Sequence, residues 1–318
     1  MYVISSGELK TVLHFRMLVE RLRQAFRSGC DIPEPCRYEV PLYGAAGASL
    51  SLAPAWQTGR AIGVLIATFF PDNLQADLPR KMLSYLLFDG KTGVLRATID
   101  GSTLVARRAA AASALAASYL ARPDSERLLV VGTGGLAVGL IEAMTGGLPI
   151  RHVLVWGRTF AKAQKVAARF KRAGFRVSAT TDLEGAVRGA HVISCVTSSQ
   201  EPLIRGAWLP AGVHLDLVGG VMPDMREADD EAIQLSRVFV DTREGTCALA
   251  GDIVQPMAAG VLLEEDIAGD LYELTRGERS GRRFYEQRTL FKSVGTALED
   301  LAAAQLAVEM IAHNETLR

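Results

Sequence analysis

The stretch from Leu128 to Ala137 constrains this chain more than any other. Four apolar residues, Leu128-Leu129-Val130-Val131, run straight into Gly132-Thr133-Gly134-Gly135-Leu136-Ala137. A buried strand, a glycine turn and the first turn of a helix, in that order, open a βαβ unit. Gly132 permits the tight turn, Gly134 lets the backbone approach a diphosphate, and Ala137 keeps the helix close to the strand. The N–H groups of the first helical turn have no partner inside the helix and point at an anion placed there. Residues 132–137, with Thr133, Gly135 and Leu136 between the named positions, therefore form a dinucleotide site.

Alternating strands and helices extend this texture beyond about residue 127, as expected of a parallel sheet. Strands are predicted at 128–131, 153–156, 192–195, 213–218 and 238–240, with helices at 136–144 and 160–172. The second strand ends in Trp156-Gly157-Arg158-Thr159 and carries no carboxylate to grip a ribose 2′-hydroxyl. Arg158 suits a 2′-phosphate, Thr159 can donate to it, and Lys162 and Lys165 add positive charge. This favours NADPH, with NADH possible. Val196, Thr197 and Ser198 leave the carboxyl end of another strand, where open sheets bind ligands. Cys195 reads as a small buried residue and Asp216 as structural.

The two ends of the chain differ from this middle. Leu9, Val12, Leu13, Phe15, Leu18, Leu22 and Phe26 form one amphipathic run, capped by Ser5 or Ser6 with Glu8 and stopped at Gly29. Strands at 61–70, 82–88 and 94–99, with a turn at 89–93, suggest an antiparallel or mixed sheet. An alanine-rich helix follows at about 103–120. A last helix at about 296–311 is expected to pack back on the N-terminal part. The fold class is α/β: a Rossmann domain at 123–293 inserted into an α+β substrate and dimer domain formed by 1–122 and 294–318.

Charge narrows the partners. The 35 basic and 35 acidic residues cancel, which gives no electrostatic footprint for nucleic acid or an anionic membrane. No secretory leader opens the chain and no apolar run is long enough to span a bilayer. Cys30, Cys36, Cys195 and Cys247 show no metal-type spacing, and the histidines (His14, His152, His191, His214, His313) are scattered. The expectation is a cytoplasmic protein without a metal, acting on a small molecule.

Taken in order, the motifs resemble the ornithine cyclodeaminase / mu-crystallin family from about Arg37 to about Ala304. They are Phe70-Pro71-Asp72-Asn73, Leu87-Phe88-Asp89 with Thr92-Gly93, Asp100-Gly101, Arg107 to Ala117, and the glycine turn. Gly219-Gly220 before Pro223-Asp224-Met225-Arg226-Glu227, Gly251-Asp252, Phe291 to Gly295 and Glu299-Asp300-Leu301-Ala302 complete the set. The resemblance implies hydride transfer between nicotinamide and the α-carbon of an imino or amino acid, in a homodimer. It implies that Arg37 and Arg108 hold the substrate carboxylate, and that Val221 and Ser293 contact the cofactor. Lys292 with Ser293 is implied near the nicotinamide.

Two departures stand out against that pattern. The family's lysine falls on Leu65, and the aspartate after the glycine pair is Val221. Without the aspartate no base drives ring closure with ammonia loss, whereas a protonated ketimine already accepts hydride. Lys81 is either a solvent-facing lysine or the catalytic replacement for the lost ammonium. The expected function is an NADPH-dependent reductase of Δ1-pyrroline-2-carboxylate or Δ1-piperideine-2-carboxylate, giving proline or pipecolate. The alternatives are a cyclodeaminase-like enzyme or amino-acid dehydrogenase, and a non-catalytic NADPH-binding protein.

Overall fold

The computed structural model describes residues 1–42 and 47–316. It divides into two compact units, Met1–Arg108 with Ala297–Arg318, and Ala109–Thr296. The division falls inside a helix, after Arg108, rather than between residues 122 and 123.

The first unit contains β1 (Tyr2–Ile4), α1 (Ser6–Val12), α2 (Phe15–Ser28), β2 (Cys36–Val40), β3 (Ala48–Gln57), β4 (Ala61–Phe69), β5 (Lys81–Asp89) and β6 (Leu95–Asp100). The helix α3 (Gly101–Leu120) begins in it. The amphipathic N-terminal run is two helices, not the single one its periodicity suggests. Ser5 caps α1 as expected: its Oγ accepts from the Glu8 N–H at 3.4 Å, and the Glu8 carboxylate accepts from the Ser5 N–H at 2.9 Å. Leu13 (φ −87°, ψ 71°) then leaves the helical path, and its carbonyl accepts from Arg107 Nε at 3.0 Å. The break is therefore set from outside the run.

The sheet order is β1-β6-β5-β4-β3-β2, with β1 parallel to β6 and the other pairs antiparallel. The mixed sheet is thus as expected, and beside the three strands read from the sequence it holds β1, β2 and β3. The 89–93 turn is tied by Asp89 Oδ1, which accepts from the N–H groups of Lys91 and Thr92 at 3.0 and 2.9 Å, while Gly93 takes φ 72°.

Side chains alternate between the two sheet faces. A Cβ on Gly63 would lie 1.9 Å from the Tyr85 hydroxyl and 3.0 Å from Leu301 Cδ1, so odd-numbered β4 residues face the C-terminal helix. Ala55, Tyr85, Leu87, Ala97 and Ile99, on that face, are buried. The other face carries Leu52, Trp56, Ile62, Val64, Leu86 and Phe88, all partly exposed.

The second unit continues with β7 (Arg127–Val131), α4 (Gly135–Gly147), β8 (His152–Trp156), α5 (Phe160–Ala168), β9 (Arg176–Thr180), α6 (Leu183–Gly189) and β10 (Val192–Cys195). Then come β11 (His214–Leu217), α7 (Asp230–Gln234), β12 (Arg237–Val240), α8 (Arg243–Leu249), α9 (Gly251–Ala258), β13 (Gly269–Asp270), α10 (Leu271–Arg276) and β14 (Thr289–Lys292). All eight strands are parallel, in the order β13-β12-β14-β11-β10-β7-β8-β9. Leu128 and Val130 bury against Ala137, Ile141 and Met144 of α4, whereas Leu129 and Val131 join Ile193, Leu215 and Leu217 in a second cluster. Burial on both faces explains why this strand reads as an unbroken apolar run. The predicted 160–172 helix ends at Ala168.

The chain closes with α11 (Ala297–Thr316), which returns to the first unit and packs on α2, β3 and β4.

Candidate active site

Strand order reverses between β7 and β10, and at such a point the two connecting loops diverge and leave a crevice at the carboxyl ends. The glycine turn lies there. Gly132 has φ +129°, and a Cβ on it would meet the Val196 carbonyl oxygen at 2.5 Å. Only glycine fits both the dihedral and the space. Gly134 and Gly135 face open space, with nothing within 4 Å of a built Cβ. Gly134 also stands at the N-cap of the 13-residue helix α4 without a side-chain cap. Open backbone N–H groups at a helix start, with room above them, fit a diphosphate.

The next strand extends the same floor. Gly157 packs on Thr133, whose Cγ2 would lie 2.6 Å from an added Cβ. Arg158, Thr159 and Lys162 are exposed beyond it, and Thr159 is the N-cap of α5 without a side-chain cap bond. Neither Arg158 nor Lys162 is ion-paired among the described residues, which leaves both cations open to a phosphate.

The remaining cofactor candidates lie on loops at the same edge of the sheet. Val196 touches Gly132, and Ser198 is exposed. Thr197 instead turns inward: its N–H and Oγ donate to Glu227 Oε1 at 2.6 and 2.8 Å. Val221 is 41% exposed, an apolar tip where no base can act. Ser293 is buried, and its N–H donates to the Leu217 carbonyl. Lys292 is fully buried, paired with Asp252 at 3.1 Å and donating to the Gly219 carbonyl. Its ammonium is thus committed inside the protein rather than presented to a ligand.

In the first unit Arg108 is 7% exposed, and no ordinary surface arginine. Its Nη1 donates to Glu299 at 2.7 Å and its Nε to Asp300 at 2.8 Å. Both carboxylates come from α11, which carries them in its first turn. The ammonium of Lys81 lies near this cluster. Partial burial lowers its pKa, the Arg108 charge lowers it further, and Asp300 opposes both. Arg108 is thus paired with two carboxylates, while Lys81 forms no ion pair among the described residues and feels the charges of Arg108 and Asp300.

Lys81 and Leu65 stand at different places in the sheet. Leu65 pairs with Tyr85, four residues farther along β5, or about 13 Å at strand spacing. Lys81 instead lies within electrostatic reach of Arg108 and Asp300. Arg37 stays apart on the edge strand β2, in the row Arg37–Ser51–Ala67–Leu83, exposed and paired with Glu39 at 3.4 Å.

Glu299, Asp300, Glu227 and Asp252 carry no functional expectation from the sequence. Their signal was present: two adjacent carboxylates in the otherwise apolar stretch Leu298–Ala304 need buried partners.

Comparison with known proteins settles the lineage. The family model described as "Ornithine cyclodeaminase/mu-crystallin family" matches residues 3–315. The chain belongs to that family. It is 36% identical to a Delta(1)-pyrroline-2-carboxylate reductase of Paracoccus denitrificans, over 97% of this chain and 96% of the other. Its fold is similar to that of the Thermococcus litoralis Delta(1)-pyrroline-2-carboxylate reductase solved with NADH and L-proline, with TM-score 0.90 and 30% identity, covering 99% and 98% of the two chains. An archaeal alanine dehydrogenase dimer with bound NAD superposes with TM-score 0.88 at 25% identity, over 99% of this chain and 97% of that one.

Proposed function

We propose that this family member is an NADPH-dependent reductase of a cyclic ketimine carboxylate, Δ1-pyrroline-2-carboxylate or Δ1-piperideine-2-carboxylate. The observation that carries this reading is the buried pairing of Arg108 with Glu299 and Asp300, with Lys81 near enough to feel the charges of Arg108 and Asp300. A protonated cyclic ketimine carboxylate is itself a zwitterion. Arg108 and Lys81 match its carboxylate, and Asp300 offers negative charge to its iminium. Arg37 contributes from the sheet edge once it is released from Glu39.

Bound NADPH supplies the hydride that adds to the imine carbon, giving a secondary amine and NADP⁺. The chain's residues supply charge and position. Lys81, with its lowered pKa, also stands ready to exchange a proton with the ring nitrogen. Arg158, Thr159 and Lys162 hold the 2′-phosphate, and residues 132–137 hold the diphosphate, with Val196, Ser198, Val221 and Ser293 toward the nicotinamide. Val221 argues against a cyclodeaminase, which needs a base there.

Turnover is tested by following NADPH oxidation at 340 nm with each ketimine, and again with NADH. Oxidation with one of them supports the reading. Tight NADPH binding with neither oxidised would favour the second reading, a non-catalytic binder, which Leu65 suggests.

We also propose a homodimer built on the partly exposed apolar sheet face of Leu52, Trp56, Ile62, Val64, Leu86 and Phe88. A reducing, cytoplasmic setting suits the four free cysteines. Sedimentation and fractionation test these two points.

A further inference from the structure

A second charged cluster lies wholly inside the nucleotide-binding unit, and no step of the proposed reaction uses it. Glu227, Asp252 and Lys292 are each fully buried. Asp252 Oδ1 accepts from the N–H groups of Glu227 and Ala228 at 2.8 and 3.0 Å, while its other oxygen meets Lys292 at 3.1 Å. Glu227 Oε1 accepts from the Thr197 N–H and Oγ, and Lys292 donates to the Gly219 carbonyl.

The cluster grips two loops at once. A Cβ on Gly219 would lie 2.1 Å from the Thr197 carbonyl oxygen and 2.4 Å from Glu227 Oε1. A Cβ on Gly220, which has φ +57°, would lie 2.5 Å from Asp252 Oδ2. The Thr197 loop in turn carries Val196, whose carbonyl packs on Gly132. An unbroken series of contacts therefore leads from the buried carboxylates to the glycine turn. Glu227 Oε2 is buried and without a partner among the described residues. An orphaned carboxylate oxygen is costly in its ionised form.

We propose that Glu227 is a positioning residue whose charge state sets how firmly the Thr197 and Gly219-Gly220 loops are held against the dinucleotide, so that cofactor affinity falls when Glu227 takes up a proton. The inference rests on the dinucleotide reading of the glycine turn. Ionised, Glu227 makes two charge-assisted bonds to Thr197. Protonated, it makes ordinary ones, roughly half as strong.

The groups facing Glu227 are Lys292 from β14, Asp252 from α9 and Cys195 from β10. Burial pushes the Glu227 carboxyl up to about 7, with Lys292 opposing and Asp252 reinforcing. Asp216 is also pushed up to about 7 by burial, against its bonds to Ser194 and Ser113. It touches neither loop residue Thr197 nor Gly219 in these bonds, so the variants below separate the two carboxylates.

The experiment is a fluorescence titration of the full chain with NADH, from about pH 5.5 to 9. NADH is the probe because it lacks the 2′-phosphate, which titrates near pH 6. The wild-type Kd should rise roughly three- to tenfold as pH falls through neutrality. Glu227→Gln, which keeps an acceptor for Thr197 and cannot ionise, should give a flat profile. Asp252→Asn removes the neighbouring negative charge and should move the pH limb of Glu227 downward. A flat wild-type profile, or a Glu227→Gln profile that follows the wild type, overturns the proposal. The wild-type arm decides this even if a variant fails to fold. Absence of NADH and NADPH binding at every pH would overturn the dinucleotide reading as well.

Discussion

Replacing Arg108 by methionine tests the centre of the substrate cluster, because it keeps the length of the side chain and removes the guanidinium. Two carboxylates, 0% and 2% exposed, then lose a partner at 2.7 and 2.8 Å. Removing one member of a buried ion pair costs about 3–5 kcal/mol, mostly as desolvation of the charge left behind. At about 3 °C per kcal/mol for a body of this size, Tm should fall by roughly 10–15 °C at neutral pH. Differential scanning calorimetry of the cofactor-free protein reads this without any substrate.

The same variant should lose kcat/KM for the ketimine by a hundredfold or more, about 3 kcal/mol, since a charge-assisted bond to the carboxylate is gone. A second change separates the two effects. Arg108→Met with Asp300→Asn should recover part of the lost Tm and none of the activity. A Tm loss under about 3 °C in Arg108→Met would refute the reasoning, because the carboxylates would then not depend on Arg108.

Other perturbations read other parts of the molecule. Lys81→Ala should leave Tm unchanged and lower kcat/KM at least tenfold in steady-state assays, as expected of a solvent-reaching lysine that serves the substrate. Arg158→Ala should raise the Kd for NADPH roughly tenfold and leave that for NADH unaltered, measured by fluorescence. Gly132→Ala adds a Cβ at φ +129° against Val196 and should weaken both cofactors at least tenfold in the same titration. His214 is fully buried and its pKa is depressed by burial to about 3. The unfolded chain then binds a proton that the folded one refuses between about pH 6.5 and 3. Stability should fall by up to about 1.4 kcal/mol per pH unit on acidification through that window and be unaffected by His214 above it. His214→Asn should flatten this slope in urea unfolding curves.

Most of the nucleotide-binding unit could be read from local pattern. Residues 128–137 specify strand, turn and helix from neighbours alone, and each requirement has a residue type that meets it. The first unit was less legible because its decisive contacts are distant in sequence. The break at Leu13 leaves the apolar spacing intact and depends on Arg107, 94 positions away. The family resemblance points to Arg108, but its partners lie 191 and 192 positions on, in α11. Lys292 shows the opposite limit. A lysine between Phe291 and Ser293 gives no sign that it lies in a strand between two others, and only the sheet order reveals its burial.

The return of α11 to the first unit also dictates an order of events during synthesis. The sheet of β1 to β6 is translated early, yet the helix that covers Ala55, Tyr85 and Leu87 is translated after the whole nucleotide-binding unit. The nucleotide-binding unit has all its strands before α11 emerges and can fold while the chain is still growing. The sheet meanwhile waits with an apolar face uncovered, and Arg108 waits without Glu299 and Asp300. A nascent chain stalled before residue 297 would be a folded nucleotide binder joined to an aggregation-prone sheet, so chaperone engagement should concentrate on that stage of translation.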